Sequence, residues 1–384
     1  MSRRPGLSTT AVHGAPHRRA DWSPVAPPVF QSSTFVNPVG SSADIIYSRY
    51  GNNPAQVALA KKYALLEGSE DAIFTSSGMG ATALAHLAVL RPGDHLVSSR
   101  WIYGGTQALF DHEFGRLGIS VSYVSPDQPR QWRKSLRKET RAFFVETPTN
   151  PLMRVVDLRP IAKVARGEGL ALLVDATFAS PFNYRPIEHG ADVAITSATK
   201  YLNGHSDVIA GAVAASSQIV EEINRLMRMW GQAIDPHAVW LVDRGLRTLA
   251  VRMQRHNANG LAVATWAEQQ PWIARVHYPG LESHPDHAAA KEILDGFGGM
   301  VGLELAGGAA AAERFLNRLK LVIHAPSLAG VESLVSEPRL TSHVSLTPEQ
   351  RAGLGIPDGF LRLSCGIEDA EDIIADLEQA GGSH

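Results

Sequence analysis

SATKYLNGHSD, residues 197–207, follows an apolar run that closes at Ile195 and reads as the end of a buried parallel strand. It puts Lys200 just past that strand, among small hydroxyl residues, where open α/β sheets hold their ligands. A lysine amine desolvated there and close to a phosphate suits a Schiff base with a carbonyl cofactor. An isolated lysine is more often an exposed loop residue. The neighbours decide against that: Ser197 and Thr199 offer hydroxyls to an anion, and Gly204 and Gly211 let the backbone turn and come close.

Working outward, short apolar runs alternate with helical periodicity. Residues 71–76, 95–99, 119–124, 142–147, 170–177 and 208–216 read as buried strands, and segments such as 78–90 and 157–169 read as helices between them. This alternation predicts an α/β fold with right-handed crossovers and a mostly parallel sheet, placed at residues 51–246. Residues 1–50 are proline-rich with little periodicity and read as an extended arm. Within it PVAPPVFQSSTF, residues 24–35, is too apolar for a free tail and is expected to lie on this molecule or on a neighbouring subunit. In YSRYGNNPAQ, residues 47–56, Asn53 can cap a helix whose first turn holds Pro54 and which Gly68 ends. Beyond residue 246 strand candidates thin to GMVGLELAG and GFLRLSCGI, with amphipathic helices between. Residues 247–384 are therefore expected to form a smaller α+β domain, with the active site in the cleft between the two domains and the final GGSH frayed.

Composition narrows the function. The chain has 384 residues, 44% hydrophobic and 19% charged, which describes a soluble globular enzyme-sized protein of two or three domains. A net charge of −2 leaves no basic field for nucleic acid or an anionic membrane, and the seven tryptophans form no basic-aromatic stripe. One cysteine, Cys365, rules out an internal disulfide, and in FLRLSCGI it reads as a small buried residue. No apolar run reaches the length of about 18 residues that a membrane span requires. The N-terminus lacks the apolar core of a secretory signal, so a cytoplasmic location is expected.

Several further motifs carry chemistry. SSGMGATA, residues 76–83, follows a strand and opens a helix, an arrangement that binds anions. It can be a dinucleotide fingerprint, a plain tight turn or a cup for one phosphate. The dinucleotide reading needs an acid ending the next strand, and that strand ends Ser98, Ser99, Arg100, which favours the cup. Asp175 ends the apolar LALLVD, where a carboxylate needs a partner: a protonated pyridine nitrogen, or the following turn it would cap. Tyr103 can stack on a planar ring or be a core aromatic. Asn150, between two prolines, suits a rigid polar contact, and Arg362 inside an apolar strand calls for a carboxylate from a substrate or from the protein. HPDH, residues 284–287, reads as a solvated turn, and no metal site is expected.

Together the motifs YSR, SGMGA, YGGT, ETPTNP, LVDATF, SATKYLNGHSD, APSLAGVES and RLSCGIED resemble, in order and across residues 24–379, the Cys/Met-metabolism family of pyridoxal-phosphate enzymes. That family includes cystathionine γ-synthase, cystathionine γ-lyase, cystathionine β-lyase and methionine γ-lyase. The resemblance implies the type I aminotransferase-like fold, pyridoxal 5'-phosphate as cofactor, and a homotetramer of two dimers with shared active sites. It implies that Lys200 carries the Schiff base, Asp175 pairs with the pyridine nitrogen, and Tyr103 stacks on the ring and can donate a proton. It gives the phosphate to Gly78, Met79, Ser197 and Thr199, joined by Tyr47 and Arg49 of the neighbouring subunit, with Ser77 and Thr177 also binding the cofactor. Arg362, Ser327 and Asn150 would hold the substrate.

The expected chemistry is γ-elimination or γ-replacement on cystathionine, homocysteine, methionine or an O-activated homoserine, in primary or specialised metabolism, with β-elimination as the alternative. A nicotinamide oxidoreductase and a non-catalytic binding relative stand outside the class. Three motifs depart from the family pattern. An extra asparagine gives YSRYGNNPA, Ala176 stands where asparagine is frequent, and APSLAG has Pro326 where many relatives carry a glutamate and Ala329 where they carry glycine.

Overall fold

The computed structural model describes residues 5–15, 21–40, 45–344 and 346–382. The predicted strands of the first half form one sheet: β1 (Asp71–Thr75), β2 (His95–Ser99), β3 (Ser120–Val124), β4 (Thr140–Glu146), β5 (Ala171–Asp175), β6 (Val193–Ser197) and β7 (Gly211–Ala215). Their order is β1-β7-β6-β5-β4-β2-β3. β2 to β6 run parallel to one another, and β7 is antiparallel to both of its neighbours.

Side chains alternate across this sheet as a two-residue period requires. Phe143, Val145, Leu172 and Val174 pack with Leu158, Ile161 and Ala165 of the helix Leu158–Gly167. Phe144, Leu173, Ile195 and Val213 pack on the other face, against Leu84 of Gly78–Val89 and Ile223 of Ser217–Trp230. All of these side chains are buried, and each contributes about 1.5–3 kcal/mol relative to exposure. Both faces are thus covered, which explains why the strands read as apolar runs and not as alternating ones.

The helix Pro54–Glu67 follows its sequence signals. Asn53 and Gln56 form a reciprocal capping box, Pro54 opens the first turn, and Gly68 closes the helix at φ 73°. The arm is not extended throughout: Leu7–His13 is a short helix that packs against Pro54–Glu67 and buries Ala11. Of the terminal GGSH, Gly381 ends the helix Ala370–Gly381, and residues 383–384 lie outside the described residues.

The second sheet holds β8 (Ile273–His277), β9 (Met300–Leu305), β10 (Ile323–His324), β11 (Leu334–Ser336) and β12 (Phe360–Ser364), in the order β10-β11-β12-β9-β8. Only β9 and β12 are apolar enough to be legible beforehand. The long helix Leu249–Ala267 and the helix Ala370–Gly381 cover it, with Val263, Ala264, Ile373 and Leu377 in the shared core. Cys365 directly follows β12, is fully buried, and burial pushes its thiol well above its ordinary pKa.

The arginine-rich segment after residue 243 is more than a change of spacing. Arg252 is buried, and its guanidinium donates to the carbonyls of Tyr201 (2.7 Å), Leu202 and Gly245 (2.8 Å). It therefore fastens the loop that carries Lys200 onto the helix leading to the second sheet. A side chain at Gly204, φ 73°, would run into that guanidinium, so the backbone there needs glycine for both reasons.

HPDH is not the solvated turn expected: His284 is buried facing the Leu152 carbonyl, His287 faces that of Pro279, and Asp286 takes both ends of the Arg154 guanidinium. Among the described residues no helix is long and apolar enough to cross a membrane.

Candidate active site

A cavity of about 580 Å³ opens at the carboxyl ends of the large-sheet strands and is closed from the other side by loops of the second sheet. Twelve of the residues singled out in the sequence line it: Ser77, Gly78, Met79, Tyr103, Asn150, Asp175, Thr177, Ser197, Thr199, Lys200, Ser327 and Arg362. Tyr47 and Arg49 do not. Arg49 sits over the rings of Tyr47 and Tyr50 and donates to the Arg228 carbonyl at 2.7 Å, away from this chain's own cavity. The extra asparagine has a local use: Asn52 accepts from the Tyr47 amide at 3.0 Å and donates to the Ile45 carbonyl at 2.8 Å.

One wall is a turn between β1 and the helix Gly78–Val89. Ser77 caps that helix by accepting from the Gly80 amide at 3.0 Å. A Cβ on Gly78 would sit 2.9 Å from Ser197, and one on Gly211 only 2.2 Å from the Ser77 carbonyl. The turn, the end of β6 and the start of β7 therefore close on one another, Gly78 against the Ser197 side chain and Gly211 against the Ser77 carbonyl, with Ser77, Gly78, Met79 and Ser197 lining the cavity. Thr199 is latched to Ala210 through its hydroxyl, and Thr177 accepts from the Ser197 amide at 2.8 Å.

Asp175 lies in the floor at the end of β5. Its Oδ1 accepts the Thr177 amide at 2.9 Å, so it caps the following turn while still facing the cavity. Burial raises its pKa, opposed by the Thr177 hydrogen bonds. Glu146, directly opposite it in register at the end of β4, also lines the cavity. Burial first and the Asp175 charge second push Glu146 well above the usual carboxylate range.

The opposite wall is held by Arg362 on β12. It donates to Asn150 Oδ1 at 2.9 Å and to the Ser327 carbonyl at 3.0 Å, while its Nε is buried without a partner. Burial lowers its pKa to about 10. Ser327 and Ala329 adopt φ of 88° and 64°, and the Ala329 amide donates to Ser364 Oγ at 2.7 Å. Left-handed backbone at a residue with a Cβ costs about 1–2 kcal/mol, so this loop is held in place by its contacts and not by local preference.

Lys200 reaches across, donating from Nζ to Ser327 Oγ at 2.6 Å. Burial, and then the Arg362 charge, pull its pKa down to about 8. Roughly 10–20% of the amine is then neutral near physiological pH, far more than for a free lysine, and the neutral form is the nucleophile.

This donor set fits pyridoxal 5'-phosphate. A backbone cradle at a helix N-terminus suits the phosphate, a buried carboxylate suits a protonated ring nitrogen, and an aromatic ring with a low-pKa lysine flanks the space between. Sequence reasoning passed over Glu146, although it lay inside the quoted ETPTNP; an acid closing a buried strand is the same signal that marked Asp175. It also passed over Phe178, Ile209, Leu328, Thr341 and Ser342, which are ordinary residue types brought to the wall by folding.

A family model described as Cys/Met metabolism PLP-dependent enzyme matches residues 8–381. An L-methionine gamma-lyase of Fusobacterium nucleatum subsp. polymorphum is 40% identical over 97% of each chain. A cystathionine beta-lyase of Lactococcus lactis subsp. cremoris is 39% identical over 97% of this chain and 98% of that one. The crystal structure of cystathionine gamma synthase from Xanthomonas oryzae pv. oryzae, in complex with aminoacrylate and cysteine, superposes with a TM-score of 0.95 at 38% identity, covering 99% and 98% of the two chains. With the motifs in order, the cavity at the strand ends and these likenesses along its whole length, the chain belongs to the Cys/Met-metabolism family of PLP-dependent enzymes.

Proposed function

We propose that the enzyme removes or replaces the γ-substituent of a sulfur-containing or O-activated amino acid. The observation that carries this reading is the Lys200 amine, held in the cavity between the Ser77–Met79 turn and the Arg362 clamp and donating to Ser327 at 2.6 Å. When bound, pyridoxal 5'-phosphate supplies an electron sink for the charge left at the substrate α-carbon.

The chain's own residues do the rest. Ser77, Gly78, Met79, Ser197 and Thr199 hold the phosphate, Tyr103 stacks on the ring, Thr177 braces the strand end beside it, and Asp175 keeps the ring nitrogen protonated. Arg362 binds the substrate carboxylate, and Asn150 and Ser327 orient the guanidinium. With the cofactor bound, the Lys200 amine would remove the α-proton and, once that proton is passed on, a proton from Cβ, leaving the Cβ electron pair to form the bond to Cγ as the γ-group departs. Tyr103 donates a proton to the leaving γ-group.

The part of the wall formed by Ile209, Pro326, Leu328, Thr341 and Ser342 carries no charge, which favours an uncharged γ-substituent such as a thioether. A higher kcat/KM for methionine or homocysteine than for cystathionine is the expected result.

The same reading makes the enzyme a cytoplasmic homotetramer in which Tyr47 and Arg49 reach the neighbouring subunit's phosphate. The exposed Trp22, Val25, Val36 and Val39 of the arm support an assembly, and sedimentation tests it. The single buried cysteine is in keeping with a reducing compartment.

Cystathionine β-elimination is the second reading, favoured by the likeness to the lactococcal enzyme. Supplied cystathionine separates the two: cysteine with 2-oxobutanoate marks γ-cleavage, homocysteine with pyruvate marks β-cleavage. The central assignment is tested by the visible spectrum of the pure protein, borohydride reduction and recovery of the labelled peptide. A label anywhere but Lys200 overturns it.

A further inference from the structure

Glu146 is buried at the end of β4, opposite the Asp175 carboxylate, where a second negative charge is costly. It is kept there by two main-chain donors. Its Oε2 accepts the Tyr103 amide at 2.6 Å and its Oε1 accepts the Asn150 amide at 2.7 Å. The Asn150 side chain then accepts from Arg362, which donates to the Ser327 carbonyl, and the Ser327 hydroxyl accepts from Lys200. One carboxylate thus joins the loop bearing the aromatic ring to the loop bearing the guanidinium's partner.

We propose that Glu146 is a positioning residue whose two oxygens set the spacing between the Tyr103 face and the Arg362 clamp, so that ring and substrate carboxylate are gripped in one fixed geometry. This rests on the reading of the cavity as the cofactor and substrate site.

The residue type follows from the donors. Two converging N–H groups need two acceptor oxygens, and a glutamine offers one oxygen and a competing NH2. An aspartate is one methylene short of spanning both amides. Burial and Asp175 raise the Glu146 pKa, and the two amide bonds and Arg362 oppose them, so the side chain is held by those two contacts and not by a charge alone.

The test uses the full-length, cofactor-loaded enzyme and its Glu146→Gln and Glu146→Asp variants. Loss of one of the two amide bonds is expected to raise KM for the amino acid about tenfold with kcat changed less. The visible circular dichroism of the bound cofactor is expected to shift with it. A purely structural role lowers the melting temperature and leaves KM and the dichroism at wild-type values, and that result overturns the proposal. If neither variant folds, the wild-type Tyr103 and Asn150 amide protons decide: both strongly downfield and slow to exchange supports it, and either one at an ordinary shift overturns it. A colourless wild type defeats the site reading and the proposal together. A coloured wild type with unperturbed variants defeats only the role of Glu146.

Discussion

The two walls of the cavity are built in different ways. The phosphate-side wall comes from backbone turns at the ends of β1 and β6, the two strands that flank β7, at residues 75–80 and 197–200, packed so closely that Gly78 and Gly211 admit no side chain. The clamp wall is side chains gathered from distant parts of the chain: Arg362 meets Asn150 across 212 positions and reaches Ser327 across a left-handed loop. A wall of backbone is as rigid as the sheet it ends. A wall of side chains depends on each partner in turn. Lys200 belongs to the first wall by sequence and leans on the second through Ser327.

Four experiments break or sharpen this contrast. Lys200→Ala is expected to lower turnover roughly 10³-fold or more and to abolish borohydride labelling, measured by steady-state kinetics and peptide mapping. Arg362→Ala is expected to cost about 10–100-fold in kcat/KM, chiefly in KM, because a charge-assisted bond to the carboxylate is lost. The cofactor absorbance should survive. If cofactor is lost as well, the walls are not independent.

The third test is pH. Lys200 in the folded chain has a pKa of about 8 against 10.5 for a free lysine, so the native state holds fewer protons than the unfolded one between those values. Stability attributable to this group therefore rises as pH climbs from about 8 to 10.5, and its cost is fully present below pH 8. Reaction of the apoenzyme amine with a carbonyl reagent should climb about tenfold per pH unit below 8 and level off above it. In Arg362→Ala the midpoint should move up, since one positive neighbour is gone.

The smallest effect belongs to Ser364→Ala. It removes the acceptor of the Ala329 amide and should lower stability by about 1–3 kcal/mol in denaturant unfolding. KM should rise modestly and the cofactor spectrum should stay, which marks the clamp wall as the softer one.

This division also explains what was legible in the sequence. The large sheet, the capped helix at Asn53 and the Lys200 turn follow from patterns within about ten residues, where strand period, proline and glycine carry the information. The short strands β8, β10 and β11 carry no such pattern; the two exposed residues of β10 are strand because β11 pairs with them. In the site, Asp175 and Arg362 stood out as charges in apolar strands. Thr341, Ser342 and Ile209 did not, since nothing in their neighbourhoods separates them from ordinary loop residues. The helix at Leu7–His13 escaped for the same reason: it is stabilised by tertiary packing and not by its own periodicity.

Cys365, sealed at the end of β12 with its thiol held protonated, gives the molecule a built-in clock. A thiol reagent can modify it only while the core of the second sheet is open, and no other sulfhydryl in the chain competes for the label. The rate of mass gain in excess reagent therefore times the opening of that core.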